Sequence, residues 1–292
     1  MNIEQELEKL KKLNENKQYK QMLEKIQELL LIAEDPKLYH MRGLAKYMLL
    51  DYEGAIKDYD KAIELDPSYT NAYFNRAYMK NDIGYYEDAI QDYTKVIELN
   101  PNDTSAYFYR GNINSNIQNY IDAIEDFSKI IELDPSSVAA YGNRGNVKLV
   151  IQDYEGMIED CSKVIELKPN SEIAYYNRGI AKCYLNDYEG AIKDYTIAIE
   201  LNPDDAFAYC NRGNAKHSLN DYEGAINDYT IAIKLEPNNI LPYINRGNVK
   251  FDLNDYEGAI NDYTIANKLE PDNEEAKIYI DKCMQKLKNN EK

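Results

Sequence analysis

Residues 187–203 read DYEGAIKDYTIAIELNP, and this stretch decides how the whole chain is organised. Close copies begin at Tyr52, Tyr222 and Tyr256, and looser ones at Tyr86, Tyr120 and Tyr154. The prolines that close them, Pro67, Pro101, Pro135, Pro169, Pro203, Pro237 and Pro271, stand 34 residues apart. A fixed period of this kind marks a repeat architecture, in which each unit buries its apolar face only by stacking on its neighbours. The length of 292 residues would otherwise suggest about two globular domains, but a solenoid has no separate cores to divide.

With the closing proline set as position 32, seven repeats span 36–69, 70–103, 104–137, 138–171, 172–205, 206–239 and 240–271, together 36–271. They start at Pro36, Thr70, Thr104, Val138, Glu172, Ala206 and Ile240. Each first half, such as EIAYYNRGIAKCYLN, and each second half, such as YEGAIKDYTIAIEL, spaces its apolar residues as one face of a helix. The turn between them falls near position 15, often as Asn-Asp. The proline ends the second helix and forces its predecessor out of helical geometry. The expected unit is two short helices, each marginal alone and stable when stacked.

The ends depart from the pattern. Residues 1–35 hold two amphipathic segments, around Ile3–Leu13 and Met22–Ile32, and read as a degenerate helical hairpin that caps the N-terminal end. Residues 272–292 begin like another first helix, but Lys277 replaces the tyrosine and Asp281 the small residue, so they read as a solvating cap helix with a fraying tail. Capped ends argue against open filaments, and a monomer is expected.

Position 4 is tyrosine throughout (Tyr39, Tyr73, Tyr107, Tyr141, Tyr175, Tyr209, Tyr243), and position 8 is glycine, or alanine at Ala77. Position 17 is tyrosine, position 20 is alanine except at Met157, and position 24 is aromatic except at Cys161. This set resembles the tetratricopeptide repeat family across essentially the whole chain. The resemblance implies an all-α, right-handed superhelical solenoid of antiparallel helix pairs, with the rings at 4, 17 and 24 filling the wedges beside the small residues. In repeat four, Met157 and Cys161 lie one turn apart and exchange large for small, which keeps the core volume. Cys161 is therefore expected to pack rather than react.

Two rows of side chains invite a functional reading. Position 7 is arginine in all seven repeats (Arg42, Arg76, Arg110, Arg144, Arg178, Arg212, Arg246), and position 23 is aspartate (Asp58, Asp92, Asp126, Asp160, Asp194, Asp228, Asp262). Both lie eight residues from the turn, so an antiparallel pair sets them level, as an ion-pair ladder within or between hairpins. The competing reading, arginines gripping an acidic ligand, is the weaker one.

The second row is amide. Position 6 is asparagine at Asn75, Asn143, Asn177, Asn211 and Asn245, and position 9 at Asn112, Asn146, Asn214 and Asn248; Met41 and Tyr109 interrupt the row. Residues three apart share a helix face, and asparagine is a mediocre helix former. The family resemblance places these positions on the concave face, where an amide, at once donor and acceptor, suits a peptide main chain. Duplication alone would also copy the NRGN block, with amides solvated or bonded to one another. Phe74, Phe108 and Tyr176 lie between them, with His40, Tyr78, Tyr109, Phe207, Ile244 and Phe251, as candidates to pocket ligand side chains or to pack on the next repeat. The lysine and asparagine set with which some family members clamp acidic chaperone tails is not present: position 5 is His40, Phe74, Phe108, Gly142, Tyr176, Cys210 and Ile244, and position 2 is lysine only at Lys37.

The net charge of −17 and the lack of a basic patch argue against nucleic acid and an anionic membrane surface. The N-terminal segment lacks the apolar run of a signal peptide, and no stretch reaches the roughly 18 apolar residues of a membrane span. Cys161, Cys183, Cys210 and Cys283 fit no zinc or redox spacing, as in a reduced, cytoplasmic protein. Two histidines, His40 and His217, stand in different repeats and form no catalytic or metal motif, so neither an enzyme nor a cofactor is expected. The expected function is a non-enzymatic scaffold whose concave groove binds an extended peptide or a partner segment. The alternatives are an assembly protein that associates through its ends or convex face, and an accessory subunit of a separate enzyme.

Overall fold

The computed structural model describes residues 3–271 and 274–290; Met1, Asn2, Asp272, Asn273, Glu291 and Lys292, which belong to the two caps drawn from the sequence, lie outside them. Among the described residues all regular structure is helical. The chain opens with α1 (Ile3–Glu15) and α2 (Tyr19–Leu30). The repeats follow as α3 (Pro36–Met48) with α4 (Tyr52–Leu65), α5 (Thr70–Asp82) with α6 (Tyr86–Leu99), α7 (Thr104–Asn116) with α8 (Tyr120–Leu133), and α9 (Val138–Val150) with α10 (Tyr154–Leu167). They continue as α11 (Glu172–Tyr184) with α12 (Tyr188–Leu201), α13 (Ala206–Ser218) with α14 (Tyr222–Leu235), and α15 (Ile240–Asp252) with α16 (Tyr256–Leu269), before the terminal α17 (Glu274–Asn290). First helices thus start where the period places them.

The chain divides into two compact units, residues 1–147 and 148–292. In each, a helix packs on its hairpin partner and on the hairpin that follows. In the first unit Leu10, Met22 and Ile26 of α1 and α2 pack against Leu38, Met41 and Ala45 of α3. In the second, Ala276 and Cys283 of α17 cover Tyr263 and Ala266.

The turn chemistry explains the DYEG signature. Position 15 takes left-handed backbone in every repeat: Leu50, Gln118, Gln152, Asn186, Asn220 and Asn254 at φ of 61–68°, and Gly84 at 85°. Only glycine and, at smaller cost, asparagine accept that region readily. The next residue, an aspartate in five repeats, caps the second helix: the carboxylates of Asp51, Asp153, Asp187, Asp221 and Asp255 accept from the backbone N–H of the glycine three residues on. Tyr85 and Asn119 stand there in repeats two and three, and neither makes a side-chain cap. At the other end, the residue between the last leucine and the proline is extended, as at Asp66 (φ −140°, ψ 94°).

Close approach of the paired helices sets the size rule at position 8. A methyl at Gly213 would lie 2.7 Å from Cε1 of Tyr229, so the ring lies directly against the backbone. The rings at position 24 are the largest fully buried side chains: Tyr59, Tyr93, Phe127, Tyr195, Tyr229 and Tyr263. The position 17 rings pack at the edge of the core, Tyr52, Tyr120, Tyr154, Tyr188 and Tyr222 against its buried clusters and Tyr256 within one. Tyr86 is 37% exposed, Tyr256 is buried, and the others are half-buried beside the turn. There Tyr188, Tyr222 and Tyr256 donate through their hydroxyls to Asn186, Asn220 and Asn254. These tyrosines hold the left-handed turn as well as packing on the core. Met157 and Cys161 do pack together, with Ala181, and burial pushes the Cys161 thiol up to about 12, which leaves it protonated and unreactive at neutral pH.

Candidate functional site

The arginine row is structural. Within six of the seven hairpins the guanidinium makes a two-pronged contact to its aspartate: Arg42 to Asp58, Arg76 to Asp92, Arg110 to Asp126, Arg178 to Asp194, Arg212 to Asp228, and Arg246 to Asp262. The aspartates are at most 5% exposed, so the planar fork replaces the water they lose. Each arginine also lies over the position 4 tyrosine of its own helix, 5.0–6.0 Å from the ring centre. From the second repeat on, Nη1 reaches back to position 25 of the preceding repeat, as from Arg110 to Thr94 at 2.8 Å, Arg178 to Ser162 at 3.1 Å, and Arg246 to Thr230 at 2.9 Å. The ladder therefore ties hairpins together as well as bracing each one. These arginines are committed to the fold, so the acidic-ligand reading loses its groups.

The ladder has a member that the sequence reading missed. Position 11 is lysine in six repeats, and its ammonium sits on the second oxygen of the same carboxylate. The distances are 2.7 Å for Lys46–Asp58, 2.9 Å for Lys80–Asp92 and Lys148–Asp160, 2.7 Å for Lys182–Asp194, and 2.8 Å for Lys216–Asp228 and Lys250–Asp262. The recurrence of lysine at the fourth residue after six of the seven arginines was the available signal.

The amide row is brought together as expected, but it is not a row of free amides. Position 6 of one repeat donates to position 5 or 9 of the repeat before. Asn143 donates through Nδ2 to Oδ1 of Asn112 at 3.1 Å, and Asn245 to Oδ1 of Asn214 at 2.9 Å. Asn211 donates to the Tyr176 hydroxyl at 2.9 Å, and Asn75 meets Nε2 of His40 at 2.6 Å. Asn245 also reaches the Cys210 sulfur at 3.6 Å. Burial lowers the His40 imidazole to about 4, so it is neutral at pH 7. With the ring neutral, one nitrogen donates and the other accepts.

Position 9 has a second duty. The buried hydroxyl of Tyr229 donates to Oδ1 of Asn214 at 2.8 Å, and that of Tyr263 to Oδ1 of Asn248 at 2.7 Å. Where position 9 is Leu44 or Tyr78, the hydroxyls of Tyr59 and Tyr93 are buried without an acceptor among the described residues. In repeat three, where position 9 is Asn112, position 24 is Phe127, which has no hydroxyl. The asparagines of the sixth and seventh repeats thus satisfy the core tyrosines with Oδ1, which leaves Nδ2 uncommitted by this bond. Asn146 is exposed and Asn177 half-buried, and each has an interaction partner of its own.

The rings between the amides separate into packed and presented. Phe74 meets Tyr93 and Tyr109 edge-on at 5.3 and 5.6 Å, and Phe108 meets Tyr109 and Phe127 at 5.9 and 6.3 Å. Tyr109, which interrupts the amide row, stacks on Tyr93 at 5.8 Å. Ile244 is 4% exposed, whereas Phe207 is 52% exposed and stands at position 2 between Ile173 (63%) and Leu241 (53%). In the second unit Asn211 and Asn214 border a depression of about 370 Å³ with Ile180, Cys183, Tyr184 and Tyr195. Among the described residues no group of histidine, cysteine and carboxylate side chains could hold a metal ion, and no helix is long and apolar enough to cross a membrane.

Comparison with known proteins agrees with this architecture. A search of curated proteins found no match. Solved structures similar to the chain include MamA protein, at 26% identity and a TM-score of 0.56 over 57% of this chain and 92% of that one. Another is YrrB, described as a TPR protein with an unusual peptide-binding site, at 22% identity and 0.56 over 63% and 95%. A third is a tetratricopeptide repeat protein from Parabacteroides merdae ATCC 43184, at 17% identity and 0.59 over 85% and 98%. Family models described as TPR repeat match residues 43–82, 77–118, 181–219 and 213–253, and one described as tetratricopeptide repeat matches 104–137 and 242–273. With more than half of the chain so matched, and helix pairs of the same period throughout, the chain belongs to the tetratricopeptide repeat family.

Proposed function

We propose that this protein is a non-enzymatic scaffold that binds an extended segment of a partner protein along the amide row of its first helices. The observation that carries the reading is the polarity of the amide pairs. In Asn112–Asn143 and in Asn214–Asn245, the internal bond uses Nδ2 of the position 6 residue and Oδ1 of the position 9 residue. What the pairing leaves uncommitted is Oδ1 of the position 6 residue and Nδ2 of the position 9 residue, one acceptor and one donor. That is the complement of one peptide group, and it needs no particular side chain on the ligand. The tyrosine bonds to Asn214 and Asn248 fix the orientation of these amides before a ligand arrives, so less ordering entropy opposes binding. Exposed Ile173, Phe207 and Leu241 supply apolar contacts in the second unit, and Phe74, Phe108 and Tyr176 form the walls.

The test is a display library of unbiased peptides, read against the wild type and the variant N143A/N177A/N211A/N245A. The expected result is a set of extended, apolar-containing peptides that the variant no longer retains, with both proteins showing the same helical circular dichroism. Retention of the same peptides by the variant overturns the reading.

A further inference from the structure

Repeat three breaks the ladder. Position 11 is Asn114 there, where the six other repeats carry lysine. The carboxylate it faces is unchanged. Asp126 is 3% exposed and takes Nη2 of Arg110 on Oδ1 at 2.6 Å. Its Oδ2 receives only Nε of Arg110 at 3.1 Å and Nδ2 of Asn114 at 3.4 Å, where the sibling carboxylates hold an ammonium at 2.7–2.9 Å. The last contact is too long to count for much. Burial raises the Asp126 carboxyl above the usual carboxylate range, against the opposing pull of Arg110. Asn114 is itself 3% exposed, so this is a buried, charged floor that lacks one cation.

A cleft of about 630 Å³ opens onto that floor between α6, α7 and α8, and Asp126, Asn114 and Arg110 line it. Its sides include the apolar Ile90 and Ile117, and its mouth the exposed carboxylates Glu87 and Glu125. None of the amide-row residues lines it. The chemistry of the missing group is specified six times in the same molecule: a primary ammonium at the end of a flexible apolar stem.

We propose that this cleft receives one lysine side chain of a partner protein, which supplies to Asp126 in trans the ammonium that the sibling repeats supply in cis. The stem lies along Ile90 and Ile117, in the manner of long basic side chains whose methylenes cover apolar surface. Glu87 and Glu125 draw the ammonium inward, and the net charge of −17 favours encounter with a basic segment. The site is independent of the amide row, so either surface can fail its test without the other.

The experiment uses the full chain and two probes, acetyl-Gly-Gly-Lys-Gly-Gly-amide and its norleucine counterpart, which has the stem without the ammonium. Binding is read by the side-chain amide resonances of Asn114 and the methyl resonances of Ile90 and Ile117. The lysine peptide is expected to shift these signals saturably, the norleucine peptide to leave them in place, and N114K to be silent to both because its own ammonium fills the site. E87Q/E125Q, altered only at exposed positions, keeps the fold and weakens the lysine peptide by about threefold at low salt. Equal response to norleucine, an undiminished response in N114K, or no saturable shift in the wild type overturns the proposal. Displacement of the lysine peptide by millimolar magnesium but not by potassium at equal ionic strength also overturns it, and makes the cleft a metal site.

Discussion

Repeats one and two and repeats six and seven share one backbone plan, yet they handle the same buried tyrosine in opposite ways. Tyr229 and Tyr263 donate to Asn214 and Asn248, whereas Tyr59 and Tyr93 are equally buried and lack an acceptor among the described residues. The difference lies at one position, nine residues into the first helix, where asparagine stands opposite Leu44 and Tyr78. In the second and third repeats the space is taken by a ring cluster, Phe74, Tyr78, Tyr93, Tyr109 and Phe108. The comparison teaches that an asparagine repeated through a helical array need not be a ligand contact or a relic of duplication. Here it completes the core with Oδ1 and keeps Nδ2 free of that duty.

The ladder breaks this comparison hardest. Asp228 serves two cations, Arg212 and Lys216, whereas Asp126 serves Arg110 alone. Asp228→Ala is expected to cost about 3–5 kcal/mol in urea unfolding, because it strands two buried-side cations. Asp126→Ala should cost clearly less, and equal costs would remove the case for a cation deficit in repeat three.

The tyrosines come next. Asn214→Leu should cost about 1–3 kcal/mol by orphaning the Tyr229 hydroxyl, and Tyr229→Phe in the same protein should recover much of it. A double-mutant cycle measures this coupling directly. Tyr59→Phe and Tyr93→Phe, in contrast, should be neutral or stabilising. A loss at these two positions as large as at Tyr229→Phe would erase the distinction between the two ends.

Asn114→Lys should raise stability at pH 7 by about 1 kcal/mol, the upper range of a partly exposed ion pair. The raised Asp126 carboxyl sets its pH dependence. An acid whose folded value exceeds its unfolded value costs stability at all pH above the folded value, and this cost fades as the pH falls toward the unfolded value near 3.8. The advantage of Asn114→Lys is therefore greatest at neutral pH and shrinks on acidification into that window; a gain that grows there would contradict the assignment. The smallest effect expected is at the turn. Leu50→Asn should gain somewhat under about 1 kcal/mol by relieving left-handed backbone at φ 65°, while Asn220→Leu in the equivalent turn loses a similar amount. Chemical denaturation of the two variants would resolve the opposite signs.

The sequence by itself determined the period, the helix pairs, their limits and the pairing of arginine with aspartate. These follow from local rules: helical spacing, a proline that stops the helix, and equal distance from a tight turn. Proline and the DYEG cap act within a few residues of chain, so their meaning does not wait for the fold. What only the tertiary structure decided is how side chains of different repeats divide their bonding capacity. Asparagine can donate and accept, and nothing in NRGN says which atom faces Tyr229 and which is left uncommitted by that bond. The half-exposed setting of the position 17 tyrosines, the lysine on the far oxygen of each aspartate, and the cleft over Asp126 all depend on the level at which one helix passes another. That level is set by close packing, through contacts such as Gly213 against Tyr229, and packing is a property of the assembled helices rather than of any one stretch.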